Sequence, residues 1–228
     1  DGYAQGLGVS CNANDIVSAT AYMSTEFNNW AAFADGTYEL SDDLTMLFGL
    51  RYTDDEVSYT HRRVSNDVYG RRGVGVRPAT LNTDEQGKAE ETNVSGRLGM
   101  QYDLGDGQMV YGTYSQGYKG PGFNIYYNFN PDNDGREIAP EESDAFELGY
   151  KYASSDFVFN FAVFKTEIEG FQANNFDCSD GTCITRLTNA GDVSTQGAEV
   201  DFMWAATDAL TLTGGIAYIK AEIDEFNC

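Results

Sequence analysis

Between residues 187 and 221 the apolar side chains fall on every second position. Ala198, Val200, Phe202 and Trp204 make one row and Glu199, Asp201 and Met203 the other, a period of two that belongs to a strand and not to a helix. A polar stop at 206–209 turns the chain back, and Leu210, Leu212, Ile216 and Tyr218 then alternate with Thr211, Thr213, Gly215 and Ala217. The pattern predicts an antiparallel hairpin with one greasy face and one small, polar face. In a soluble sandwich the face away from the core would rarely combine Glu199 and Asp201 with so much Gly and Thr. A membrane barrel, with lipid outside and water inside, accommodates both faces.

The same alternation recurs along the chain. Trp30, Ala32, Ala34, Tyr38 and Leu40 form an apolar row, as do Leu44, Met46, Phe48, Leu50 and Tyr52, then Leu98, Met100 and Tyr102, then Phe146, Leu148, Tyr150 and Tyr152, then Phe157, Phe159, Phe161 and Val163. Eight strands are predicted, at 30–40, 44–56, 92–104, 108–118, 142–153, 157–172, 188–205 and 209–223, and the second, losing its apolar row after Tyr52, reads on as DDEVSYTHRR. In the fourth, MVYGTYSQGY, the pattern leaves the lipid face undecided. Short turns fall at Asp43, Asp106, Asp156 and Asp208, and long polar excursions at about 65–91, 119–141 and 173–186. The first 27 residues read as a loop or the ragged top of a strand. Short turns on one rim and long loops on the other are the asymmetry of outer-membrane barrels. The expected register turns Glu199, Asp201, Glu147, Lys151 and Arg97 to the lumen and Phe202, Trp204, Phe159, Leu148, Leu98 and Leu212 to lipid.

Composition narrows this further. Among 228 residues are 15 Tyr, 14 Phe, 25 Gly and only 4 Pro, which suits one large all-β unit with aromatic girdles. No apolar run approaches the roughly 18 residues of a helical span, and no signal-peptide pattern opens the sequence. With 36 acidic against 14 basic side chains the net charge is −22, which excludes nucleic acid as a partner because phosphate is repelled.

Four ordered blocks, VYGTYSQGYKGPGFN at 110–124, PEESDAFELGYKY at 140–152, FKTEIEGFQANN at 164–175 and LTNAGDVSTQGAEVDF at 187–202, resemble the barrel of TonB-dependent outer-membrane receptors of the ferric-siderophore type. The resemblance implies an antiparallel transmembrane barrel of about 22 strands whose lumen holds a plug. It also implies uptake of a scarce ligand, most often a ferric siderophore and otherwise cobalamin, haem or a glycan, driven by the inner-membrane TonB complex through a TonB box. Neither plug nor TonB box is visible in 1–228, so this sequence is expected to be a segment of one barrel domain. Both ends should emerge on the outer side, with the first and last strands left as open edges. Two other classes are weighed: a passive porin, which an acidic lumen would suit, and an outer-membrane enzyme, which would need a convergent catalytic set. His61 is the only histidine and has no nucleophile motif beside it, so no catalytic role is assigned. No metal site or cofactor is expected either.

Ligand contacts are expected from the second excursion and its neighbours: Tyr118, Lys119, Phe123, Tyr126, Tyr127 and Phe129 as aromatic and cationic surfaces, with Arg136 and Arg186 as forks for an anionic chelate. Packing at the barrel rim is the competing reading of the same residues. Asn130 to Gly135, with Glu141 beyond, imitates a calcium loop, but its first place is Asn, so it reads as a solvated Asx-rich turn. Cys178 and Cys183 enclose Ser-Asp-Gly-Thr and are expected to form a small disulfide ring on the external side. Cys11 and Cys228 could pair with each other, whereas the resemblance implies a partner for Cys228 a few residues further on.

Overall fold

A computed structural model describes residues 19–65, 83–126, 129–177 and 184–226. All four cysteines lie outside the described residues, and with them the expected Cys178 to Cys183 ring and the Cys11 and Cys228 alternatives; Tyr127 lies outside them too.

The described chain is all-β apart from one helical turn. The strands are β1 (Ala19–Glu39), β2 (Leu44–Ser65), β3 (Thr83–Gly105), β4 (Gln108–Lys119), β5 (Glu141–Ala153), β6 (Phe157–Glu169), β7 (Gln172–Asp177), β8 (Ile184–Asn189), β9 (Gly191–Thr207) and β10 (Leu210–Phe226), with α1 at Pro131–Asp134. Eight of them form one sheet in the order β1-β2-β3-β4-β5-β6-β9-β10, and β7 and β8 pair separately. All four predicted turns are present. At the tightest, Gly105, Asp106 and Gly107 take φ of 82°, 52° and 75°. A Cβ on Gly107 would stand 2.0 Å from the Ala153 carbonyl oxygen, so only glycine fits there.

Residues directly opposite in an antiparallel ladder share a face. The ladder aligns Tyr102, Val110, Tyr150, Phe161, Val200 and Ile216 in one row, and Gln101, Tyr111, Gly149, Ala162, Glu199 and Ala217 in the next. The predicted register holds: Leu98, Leu148, Phe159, Phe202, Trp204 and Leu212 lie on the first face, and Arg97, Glu147, Lys151, Glu199 and Asp201 on the second. The undecided β4 is settled, with Val110 and Tyr114 outward and Tyr111 and Thr113 inward. Leu148 is 64% and Ile216 73% exposed, which in an apolar row this long requires lipid and not water as the neighbour.

The lumen face is organised by polar contacts across strands. Arg97 of β3 reaches over β2 to Asp35 of β1, Nη2 lying 2.5 Å from Oδ2. It can do so because position 49 is glycine: a Cβ there would meet Asp35 Oδ2 at 2.7 Å and Arg97 Cγ at 3.1 Å. Tyr111 donates to Glu147 at 2.7 Å while Lys151 sits 5.3 Å from the Tyr111 ring centre, and Asn160 donates to Asp201 at 2.9 Å. Each exposed pair contributes about 0–1 kcal/mol, so they order the wall more than they stabilise it.

Two boundaries differ from expectation. β1 starts at Ala19 and β3 begins at Thr83, so 83–91 is strand where a loop was expected. β2 continues through DDEVSYTHRR, as the sequence reads, and ends at Ser65. A strand crossing a bilayer needs about 9–11 residues; these three have 21, 22 and 23 and continue into water, where the lipid-facing pattern that reveals a strand is absent. The third excursion is a hairpin, β7 with β8, in place of an irregular loop.

β1 and β10 are the open edges of the sheet. A sheet in hydrocarbon cannot leave edge groups unpaired, so this one is part of a larger barrel wall. In the full barrel, Leu148→Arg is expected to destabilise by about 2–4 kcal/mol, read from the chemical unfolding midpoint, whereas the lumen-facing Thr195→Arg should leave that midpoint within about 0.5 kcal/mol.

Candidate functional site

By compactness the chain divides into 29–55 with 91–120 and 139–228, the sheet just described, and a second unit of 1–28, 56–90 and 121–138. The second unit is built inside in. Beyond Tyr52 the β2 alternation places Val57, Tyr59, His61 and Arg63 inward, 2%, 5%, 1% and 1% exposed, with Thr60, Arg62 and Val64 outward. The strand period is unbroken: this row continues the lumen row of Thr45, Gly49, Arg51 and Thr53, and its Val, Tyr, His and Arg are buried where Thr45, Gly49 and Arg51 are not.

Over that inward row lies the excursion 121–138. Gly122 and Ile138 exchange backbone hydrogen bonds of 3.0 and 2.8 Å. Phe129, wholly buried, stacks on His61 with centroids 4.6 Å apart and tilts against Tyr59 at 5.6 Å, while Phe123 meets Tyr59 at 4.8 Å. His61 Nε2 is 3.1 Å from the Tyr126 carbonyl, which can only accept, so Nε2 carries the proton; Nδ1 then accepts from the Thr83 hydroxyl at 2.7 Å. α1 is capped by Asn130, whose side chain accepts from the Asp132 N–H, with Pro131 in its first turn. Asp134 has no exposed surface and accepts from the Asn130 N–H at 2.6 Å and the Tyr126 hydroxyl at 3.2 Å. The expected solvated Asx turn is corrected here: its last carboxylate is a buried acceptor that closes the turn.

The eight expected ligand residues therefore separate. Phe123, Tyr126 and Phe129 are spent on packing in this unit, and Arg136 is exposed. In the sheet unit, Tyr118 turns its hydroxyl to the Asp55 carboxylate, Lys119 lies 3.6 Å from Glu141, and Arg186 is 6% exposed on β8, opposite Asn175. His61 and Asp134 were passed over by the sequence reading; the one available signal was their place on a continuing strand period and at the end of a capped turn. Among the described residues no group of three or more His, Cys, Asp or Glu could hold a metal.

Burial lowers the His61 pKa below its ordinary value of 6.5, and Arg63 acts in the same sense, against the Tyr126 carbonyl and Asp134, which raise it. The neutral ring is thus the native form. The stability it contributes is fully present above about pH 6.5 and is lost as the pH falls through the lower folded-state value. Amide protection factors over 121–138, with the intrinsic pH dependence of exchange divided out, should fall on acidification from pH 7.5 to 5, and His61→Gln should flatten that response. Phe129→Ala should loosen the same segment by about 3 kcal/mol, with exchange in β5, β6 and β9 unchanged.

Comparison with known proteins fits this geometry. The family model for the TonB-dependent receptor-like β-barrel matches residues 3–227. The pesticin receptor of Yersinia enterocolitica (serotype O:8 / biotype 1B) is 29% identical over 189 residues, 82% of this chain and 25% of that protein. The rhizobactin receptor of Rhizobium meliloti (strain 1021) is 28% identical over 130 residues, 56% and 17% of the two chains. The crystal structure of the ferric yersiniabactin uptake receptor FyuA from Yersinia pestis superposes with a TM-score of 0.70 at 26% identity, covering 90% of this chain and 28% of that one. The chain thus spans about a quarter of the length of the curated pesticin receptor it matches. On its inside-out sheet, its open edges and this match across nearly its whole length, the chain belongs to the TonB-dependent receptor β-barrel family of the outer membrane.

Proposed function

We propose that the complete protein takes up a ferric siderophore across the outer membrane, energised by the TonB complex through a plug and TonB box. The observation that carries this is the similarity, over most of this chain, to receptors whose names specify pesticin and ferric yersiniabactin. The polar lumen wall supports it, since Arg97, Lys151, Glu147, Glu199 and Asp201 in one face require water or a polar domain beside them. The ligand is bound and moved, and no covalent step is needed.

Of the residues expected to meet the ligand, Arg136 and Lys119 remain the best placed. Arg136 is exposed on the excursion and Lys119 keeps 53% of its side chain exposed beside Glu141. A charge-assisted hydrogen bond to an anionic chelate is worth about 1.5–3 kcal/mol, so Arg136→Glu alone should raise the half-saturating concentration at least about tenfold.

The test expresses the full-length protein in a receptor-deficient Gram-negative strain and follows radiolabelled iron supplied as ferric yersiniabactin. Saturable uptake that stops when TonB is deleted is expected. Uptake that persists without TonB would make the protein a passive channel and overturn the proposal.

A further inference from the structure

Gln172 opens β7 and Asn189 closes β8, and the ladder sets them opposite each other at the root of that hairpin. Gln172 is 7% exposed. Its Nε2 donates to the Gly120 carbonyl at 3.0 Å and to the Ala139 carbonyl at 2.8 Å, and its backbone N–H donates to Glu141 Oε2 at 2.7 Å. Asn189 Nδ2 donates to the Ala139 carbonyl at 2.9 Å and the Gly170 carbonyl at 2.7 Å, while its Oδ1 accepts from the Ala139 N–H at 2.9 Å. Gly120 and Ala139 are the two feet of the excursion 121–138. Neither residue belongs to a strand; they lie between the last β4–β5 pair, Lys119 with Glu141, and the Gly122–Ile138 bridge, and across that gap two side-chain amides hold them to the hairpin.

The chemistry is specific to an amide. A primary amide offers two donor protons and an acceptor oxygen; Asn189 uses all three, and Gln172 uses both donors. Both residues meet at the Ala139 carbonyl, so one atom ties the two latches together. A carboxylate of the same shape could accept from the Ala139 N–H but could give nothing to the three carbonyls.

We propose that Gln172 and Asn189 are positioning residues for ligand capture: together they latch the β7–β8 hairpin to Gly120 and Ala139, so that the hairpin root and these two connections move as one unit. The inference rests on the uptake function proposed above. Its reason is entropic: β7 and β8 form a two-stranded sheet of their own, so a hairpin with its root unheld would sample many angles to the ends of β4 and β5, and fixing that root removes the freedom before the ligand arrives.

Two near-isosteric variants of the full-length protein test it, Gln172→Met and Asn189→Asp. The decisive readout is crossed amide exchange. Gln172→Met should speed exchange at the Ala139 N–H, which Asn189 holds, and Asn189→Asp should speed exchange at the Gln172 N–H, which Glu141 holds, each about tenfold, with β5 and β6 unchanged. Exchange that quickens only at groups the substituted side chain itself touches would show independent contacts and overturn the latch. In uptake of ferric yersiniabactin, both variants should raise the half-saturating concentration about tenfold at unchanged maximal rate; unchanged half-saturation would overturn the positioning role. If the wild-type protein takes up no ferric yersiniabactin, the uptake reading fails for that chelate and the crossed exchange alone decides the latch.

Discussion

A backbone that crosses hydrocarbon must satisfy every N–H and C=O from its own neighbours, since no water is there to do so. The rest of this wall depends on that constraint. It forces long antiparallel ladders from β3 through β6 and on to β9 and β10, and it assigns the two faces opposite solvents. Rows such as Tyr150, Phe161 and Val200 can then lie wholly on the surface without cost, while Glu199 and Asp201 occupy the face that elsewhere would be a core. It also makes the two open edges untenable by themselves, so the missing ladder partners must be further strands of the same barrel.

The second unit obeys the ordinary rule. There Phe123 and Phe129 cover Tyr59 and His61 of the inward row, and both ring nitrogens of His61 and the carboxylate of the buried Asp134 are hydrogen-bonded. One strand, β2, thus contributes an inside-out segment and an inside-in segment in succession. The period of two never changes along it; the solvent does. That change is also why aromatic residues in the excursion serve packing, since in water a ring such as Phe129 gains most by leaving it.

The feet of the excursion show a third way of satisfying backbone groups. Where no ladder pairs Gly120 and Ala139, two side-chain amides do the work, and they need a hairpin, β7–β8, to present them. The hairpin's rank is therefore higher than its six-residue strands indicate.

Sequence alone determined the alternation, the turns at Asp43, Asp106, Asp156 and Asp208, the face of each of the eleven side chains assigned to lipid or lumen, and the membership in a larger barrel. Lipid-facing positions must be apolar at every second residue over a full bilayer crossing, and that demand is local enough to be written in the chain. Strands outside the bilayer carry no such demand, so Ala19–Glu39 and Thr83–Gly105 were read too short, and the β7–β8 hairpin as a loop. Which aromatics of 118–129 face inward, why Asp134 is buried, and that Gln172 and Asn189 hold both feet were decided only by tertiary structure. Each depends on a partner far away in the chain, Phe129 on His61 and Gln172 on Gly120 and Ala139, and no spacing along the sequence records that meeting.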